Sequence, residues 1–151
     1  MSEVTLTLRA LRGATTATAN SVEAIAAAVE ELVEALVQRN GLDGDRVLSV
    51  IFSVTADLDA CFPAAIARRR SGWDGVALLD CQQMAVVGDL PRCIRLLAQA
   101  WVPVERTVVH VYLREAIRLR PDLAAGSLPG TASSPPPAPT SSPADHPQGG
   151  G

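Results

Sequence analysis

The chain contains no lysine; all 13 of its positive charges are arginine. Two readings of this bias stay open together. It reflects the codon usage of a GC-rich genome, or it reflects arginines that grip carboxylates through a planar fork that lysine cannot offer. Aromatic residues are scarce as well, at 3% against 48% hydrophobic overall, so the core must be assembled from Leu, Val, Ile and Ala. A basic surplus is also missing. The net charge of −3 argues against a nucleic-acid footprint. The three cysteines, Cys61, Cys81 and Cys93, are odd in number and show no CxxC spacing. They support neither a disulfide framework nor a zinc site, and each is expected as a small buried residue. Finally, no run of about 18 apolar residues offers a membrane span, and no basic-then-apolar leader opens the sequence. A soluble cytoplasmic protein is the expectation.

What is present reads as one domain, with a core over residues 1–123 and a Pro/Ser/Gly-rich tail, expected to be disordered, over 124–151. Residues 5–12 alternate, with Leu6, Leu8, Ala10 and Arg12 on one face, which predicts a strand with that apolar row turned to the core. Residues 13–16 read as a turn. A helix follows from Asn20 or Ser21, where Asn20 and Glu23 have capping-box spacing, and Ile25, Val29, Leu32, Val33, Leu36 and Val37 form its apolar stripe. Asn40-Gly41 stops it. Residues 47–55 are β-branched and apolar, a central strand. Pro63 opens a short helix through Arg70, carrying the basic cluster Arg68, Arg69 and Arg70 at its end. Further strands are expected at 75–79 (short and buried), 93–101 and 107–119. The sum is an α+β protein, a mostly antiparallel or mixed sheet with a long helix on one face. The other face is expected to need a partner subunit.

Residues 78–97, LLDCQQMAVVGDLPRCIRLL, set Asp80, Gln82, Gln83, a Gly-Asp turn and Arg95 in an otherwise apolar run. Such a run can bury an arginine only if a partner or an anionic ligand offsets its desolvation. Periodicity leaves Arg12, Phe62, Arg68, Asp80, Gln83, Arg95, Tyr112 and Arg120 unexplained. Fixed cations, a tyrosine and an aromatic wall suit a small dianion. The sequence offers no Ser/His/Asp set, metal cluster or phosphate loop, and His110 reads as a structural histidine rather than a base. Cations without a nucleophile suit catalysis by positioning and electrostatics.

Five ordered segments complete the picture: RALRGATT (9–16), TADLDACFPAAIAR (55–68), SGW (71–73), LPRCIR (90–95) and HVYLREAIRLRPDL (110–123). With them the chain resembles the AroH-class monofunctional chorismate mutases over about residues 8–123. The resemblance implies a pseudo-α/β-barrel homotrimer, related to ferredoxin-like sheets, with active sites at the subunit interfaces. It implies the Claisen rearrangement of the dianion chorismate to prephenate, with no cofactor and no covalent intermediate, and no nucleic-acid or membrane partner. By position, Arg12 corresponds to a substrate-binding arginine, Phe62 to an apolar wall and Arg68 to a residue near the pocket mouth. Arg95 corresponds to the catalytic arginine facing the ether oxygen, Tyr112 to a carboxylate contact, and Arg120 to the segment that closes over the site.

One departure stands at the centre. The family pattern has a glutamate where this chain has Gln83, and a cysteine where it has Asp80. Gln83 keeps an acceptor but loses the charge that would face the cationic ring. Either the carboxylate has moved to Asp80 and partners Arg95 from there, or the site has weakened or changed its substrate. As a third possibility, Asp80 is an exposed turn residue at a strand end. Ala65 is a milder departure, at a position where the family pattern can carry a basic residue. The functional alternatives are an active mutase and a diverged paralogue of the same fold that acts on a different substrate or binds a chorismate-like acid with little or no mutase activity.

Overall fold

The computed structural model describes residues 4–42 and 44–124; the expected tail lies outside the described residues from 125 onward. The long helix α1 spans Val22–Asn40, and its apolar stripe buries Ile25, Ala28, Val29, Leu32, Val33 and Leu36. Each Ile, Val and Leu side chain among these contributes about 1.5–3 kcal/mol on leaving water. The N-cap is Ser21, whose hydroxyl accepts from the Ala24 N–H at 3.1 Å. Asn20, the other candidate, instead accepts from the N–H groups of Asp59 and Ala60 at 3.0 Å, tying the helix start to that loop. Gly41, left-handed at φ 60°, ends the helix as expected.

Five strands form a mixed sheet in the order β3-β2-β4-β1-β5. They are β1 (Leu6–Thr16), β2 (Val47–Val54), β3 (Ala77–Gln82), β4 (Cys93–Pro103) and the two-residue β5 (Val111–Tyr112). The long central pairings, β4 with β1 and β4 with β2, are antiparallel; β2–β3 and β1–β5 are parallel. Residues directly paired across a ladder share a face, and the face alternates along each strand. The row Asp80–Phe52–Leu96–Gly13–Val111 therefore lies on one face. Phe52, Leu96 and Val111 in it are buried. This is the side α1 covers. A Cβ at Gly13 would stand 3.2 Å from both Leu32 and Leu96, so glycine lets helix and sheet approach this closely. Helix α2 (Pro63–Ala67) buries Ala64, Ile66 and Ala67 in the same core.

Several expectations are corrected. Residues 13–16 are not a turn but the second half of β1, held by β4 on one side and β5 on the other. The row Leu6, Leu8, Ala10, Arg12 does not face the core. It is exposed, and the inward row of this strand is Leu11, Gly13 and Thr15. The strand 75–79 is displaced to Ala77–Gln82 and forms an exposed sheet edge rather than a buried element. The strand 107–119 shrinks to Val111–Tyr112, because Arg114 takes φ 52° and a 3-10 turn follows over Arg114–Leu119. The Arg114 guanidinium bonds the Thr16 carbonyl and Glu31, fixing that break. Cys93 is buried as expected, but Cys61 is only half-buried and Cys81 is exposed.

Candidate active site

On the uncovered face of the sheet, one row reads Cys81–Ser53–Arg95–Ala14–Tyr112. Its neighbour reads Leu79–Ile51–Leu97–Arg12. Arg95 thus projects from the central strand of the sheet, with Tyr112 two strands away, about 10 Å between backbones. The Arg95 side chain is 29% exposed and forms an ion pair with Asp89, Nη2 to Oδ1 at 3.4 Å.

Asp89 reaches this position because the chain folds back after β3. The Asp89 N–H donates to the Val86 carbonyl, and Gly88 between them adopts φ 81°. A left-handed residue at this point of a turn calls for glycine. The other oxygen of Asp89, Oδ2, accepts from Gln83 Nε2. Oδ1 also takes the Leu90 N–H at 2.8 Å. Arg95, Gln83 and Asp89, with Ser53, Met84 and residues 86–88, line an open cavity of about 600 Å³. That is within the usual range for a small-molecule site. Among the described residues, Gln83 Oε1 and Arg95 Nε are buried polar atoms with no partner.

Asp80 is elsewhere. On a strand an odd step reverses the face, so Asp80 lies three residues from Gln83 but on the helix-covered side. Its Oδ1 accepts from the Ala64 N–H at 3.0 Å. Helix α2 starts at Pro63 with Phe62 as its N-cap, a residue whose side chain has no hydrogen-bond acceptor; Asp80 supplies that acceptor from strand β3. Burial raises its carboxyl above the ordinary value, while the Ala64 N–H and nearby Arg68 pull the other way. Within the chain the carboxylate beside Arg95 is therefore Asp89, and Asp80 lies on the opposite face of the sheet. Phe62, 70% exposed, and Asp80 line a second cavity of about 570 Å³ with Ala65, Cys81 and Gln82.

The remaining expected residues gather at the β1–β5 edge. The Arg12 N–H donates to His110 Nδ1 at 3.0 Å, which makes His110 an acceptor and supports its structural reading. Burial, with the charges of Arg120, Arg12 and Arg9, holds His110 below its ordinary pKa. The Arg120 guanidinium stands 6.0 Å from the Tyr112 ring centre, and both its Nε and Nη2 bond Asp122, at 3.1 and 2.9 Å. Arg12, Tyr112 and Arg120 thus form one cluster and Arg95 with Gln83 another on the open face. Phe62, Arg68 and Asp80 form a third group, on the α2 side.

Sequence reasoning missed Asp89 and Ser53 as cavity residues. The Gly88-Asp89 pair was visible as a turn, and a turn six residues before a buried arginine was the available signal.

An α+β sheet with one open face bearing fixed arginines suits the binding of a small anion. The particular family follows from comparison. Residues 8–123 match the family model "Chorismate mutase type I". A chorismate mutase AroH from Thermus thermophilus is 46% identical over 120 residues, covering 77% of this chain and 96% of the relative. Its counterpart from Bacillus subtilis (strain 168) is 38% identical over 118 residues, covering 77% and 92%. A solved chorismate mutase from Clostridium thermocellum superposes with a TM-score of 0.65 at 40% identity, covering 72% of this chain and 96% of that one. The chain belongs to the type I chorismate mutase family.

Proposed function

We propose that this protein is a chorismate mutase, an isomerase that rearranges chorismate to prephenate within one bound molecule. The observation that carries the reading is Arg95, projecting from the central strand into an open cavity that Gln83 and Asp89 also line. As the ether C–O bond breaks, negative charge grows on the departing oxygen and positive charge on the ring. A guanidinium held beside that oxygen favours the transition state over the ground state. Further arginines hold the compact conformer of a flexible dianion, removing entropy from the barrier. Arg12, Tyr112 and Arg120 are the binding groups on the open face.

The third group joins the site through assembly. Leu79, Ile51 and Leu97 form an apolar row, 56%, 42% and 43% exposed, next to the Arg95 row. A homotrimer that buries this face would bring Phe62, Arg68 and Asp80 of one subunit to Arg95 of the next, where Phe62 provides an apolar wall.

The test follows chorismate loss and prephenate gain with purified protein. Arg95→Ala is expected to lower kcat by about 10²–10³-fold. A wild type that binds chorismate calorimetrically yet forms no prephenate would favour the second reading, a diverged binder, for which the neutral amide at Gln83 is the specific argument.

A further inference from the structure

Resting on the mutase reading, we infer that Asp89 is a positioning residue that supplies, from the loop after β3, the negative charge that Gln83 does not carry. The geometry is a three-part contact. One carboxylate oxygen of Asp89 holds Gln83 Nε2, and the other lies 3.4 Å from Arg95 Nη2. An ionised carboxylate only accepts hydrogen bonds, so it fixes the Gln83 amide with its NH2 toward Asp89 and its carbonyl turned away. That carbonyl, Oε1, has no partner among the described residues, nor has Arg95 Nε. An amide whose N–H side is bonded to an anion is polarised, and its carbonyl becomes a stronger acceptor. Gln83 and Asp89 together thus present to the cavity what a single carboxylate at position 83 would present.

The ion pair also sets the arginine. The Asp89 contact at 3.4 Å, with the Cys93 side chain against the same guanidinium, orients Arg95 without saturating its donors. Asp89 itself is 21% exposed, so the pair lies partly out of water, where it is screened less than at an open surface. The turn at Gly88 delivers the charge without any change in the sheet: its φ of 81° brings residue 89 back over β4.

The experiment is a charge relocation read by steady-state kinetics across pH, with kcat and KM separated. Asp89→Asn is expected to lower kcat by about 10- to 100-fold, with KM moving far less. Gln83→Glu alone sets two carboxylates in contact, so the pair keeps one proton to higher pH than an isolated carboxylate and kcat acquires a pH dependence from it. Gln83→Glu combined with Asp89→Asn restores a single negative charge, and kcat should return to within about threefold of the wild type. Wild-type kcat in Asp89→Asn, or a double variant no faster than Asp89→Asn, overturns the inference while the mutase reading stands. Should Asp89→Asn fail to fold, the double variant alone decides. A wild type without prephenate formation overturns both.

Discussion

At the scale of single residues, fork geometry matters as much as charge at position 95. Arg95→Lys keeps the charge but loses the planar set of donors that can meet Asp89 and an ether oxygen together. It should reduce kcat by about 10²-fold, measured by prephenate formation. Asp80 makes a contrasting case, because its place is the start of α2. Asp80→Ala should cost about 1 kcal/mol in denaturant unfolding, the usual worth of an N-cap. Asp80→Asn keeps the acceptor and should cost much less. The sign follows from its raised carboxyl: the folded state holds that proton more tightly than the unfolded chain. Stability therefore falls as pH rises from 3.8 through the folded value, and the neutral amide escapes that loss. Arg95 was legible in the sequence as an arginine inside an apolar run, and Gln83 as a departure from a family pattern. Asp89 was legible as part of a turn but not as the partner of Arg95, because only the reversal of the chain at Gly88 brings the two together. The opposed faces of 80 and 83 could have been read from the two-residue period alone.

Elements were read well where their period was long and their partners were local. The apolar stripe of α1 and the β-branched run of β2 both specified their own form. The 107–119 segment misled because its alternation describes only the residues around β5. What shapes it comes from far along the chain. Asn40, buried at the end of α1, donates to the carbonyls of Leu36 and Val109 and accepts from the Val109 N–H at 2.8 Å. Replacing it by Ala strands those backbone groups. The variant should lose about 2 kcal/mol of stability in denaturant titration, with hydrogen exchange rising first around Val109–Tyr112. His110 fastens the same segment to Arg12, and its imidazole is neutral when it accepts that N–H. Its pKa is depressed in the fold, so the unfolded chain takes up the proton first as pH falls below 6.5. Stability should therefore decline with acidification from that value until the folded imidazole also titrates. His110→Asn, which can keep an acceptor near Nδ1, should remove that part of the slope.

For the whole molecule, the decisive feature is that the three groups of site residues do not meet within one chain. If assembly brings them together, two inactive variants with lesions in different groups should complement each other. Coexpressed Arg95→Ala and Phe62→Asp subunits, mixing at random, would leave roughly a quarter of interface sites intact, with activity to match. Purified separately and kept apart, each should remain nearly inactive. Ile51→Glu, which sets a charge in the apolar row, should yield monomers in sedimentation and lose turnover with them.

Arg95 and Leu97 are two residues apart on one strand and point the same way, so an assembly that covers Leu97 would tie catalysis to mass action. Diluting such an enzyme should lower its specific activity, not merely its total rate, once subunits fall below their association range. A substrate-like dianion bound between subunits should then raise the melting temperature most at low protein concentration. The ligand would act as a clamp on the assembly, and the cell's supply of substrate would help to decide how much of the protein is assembled.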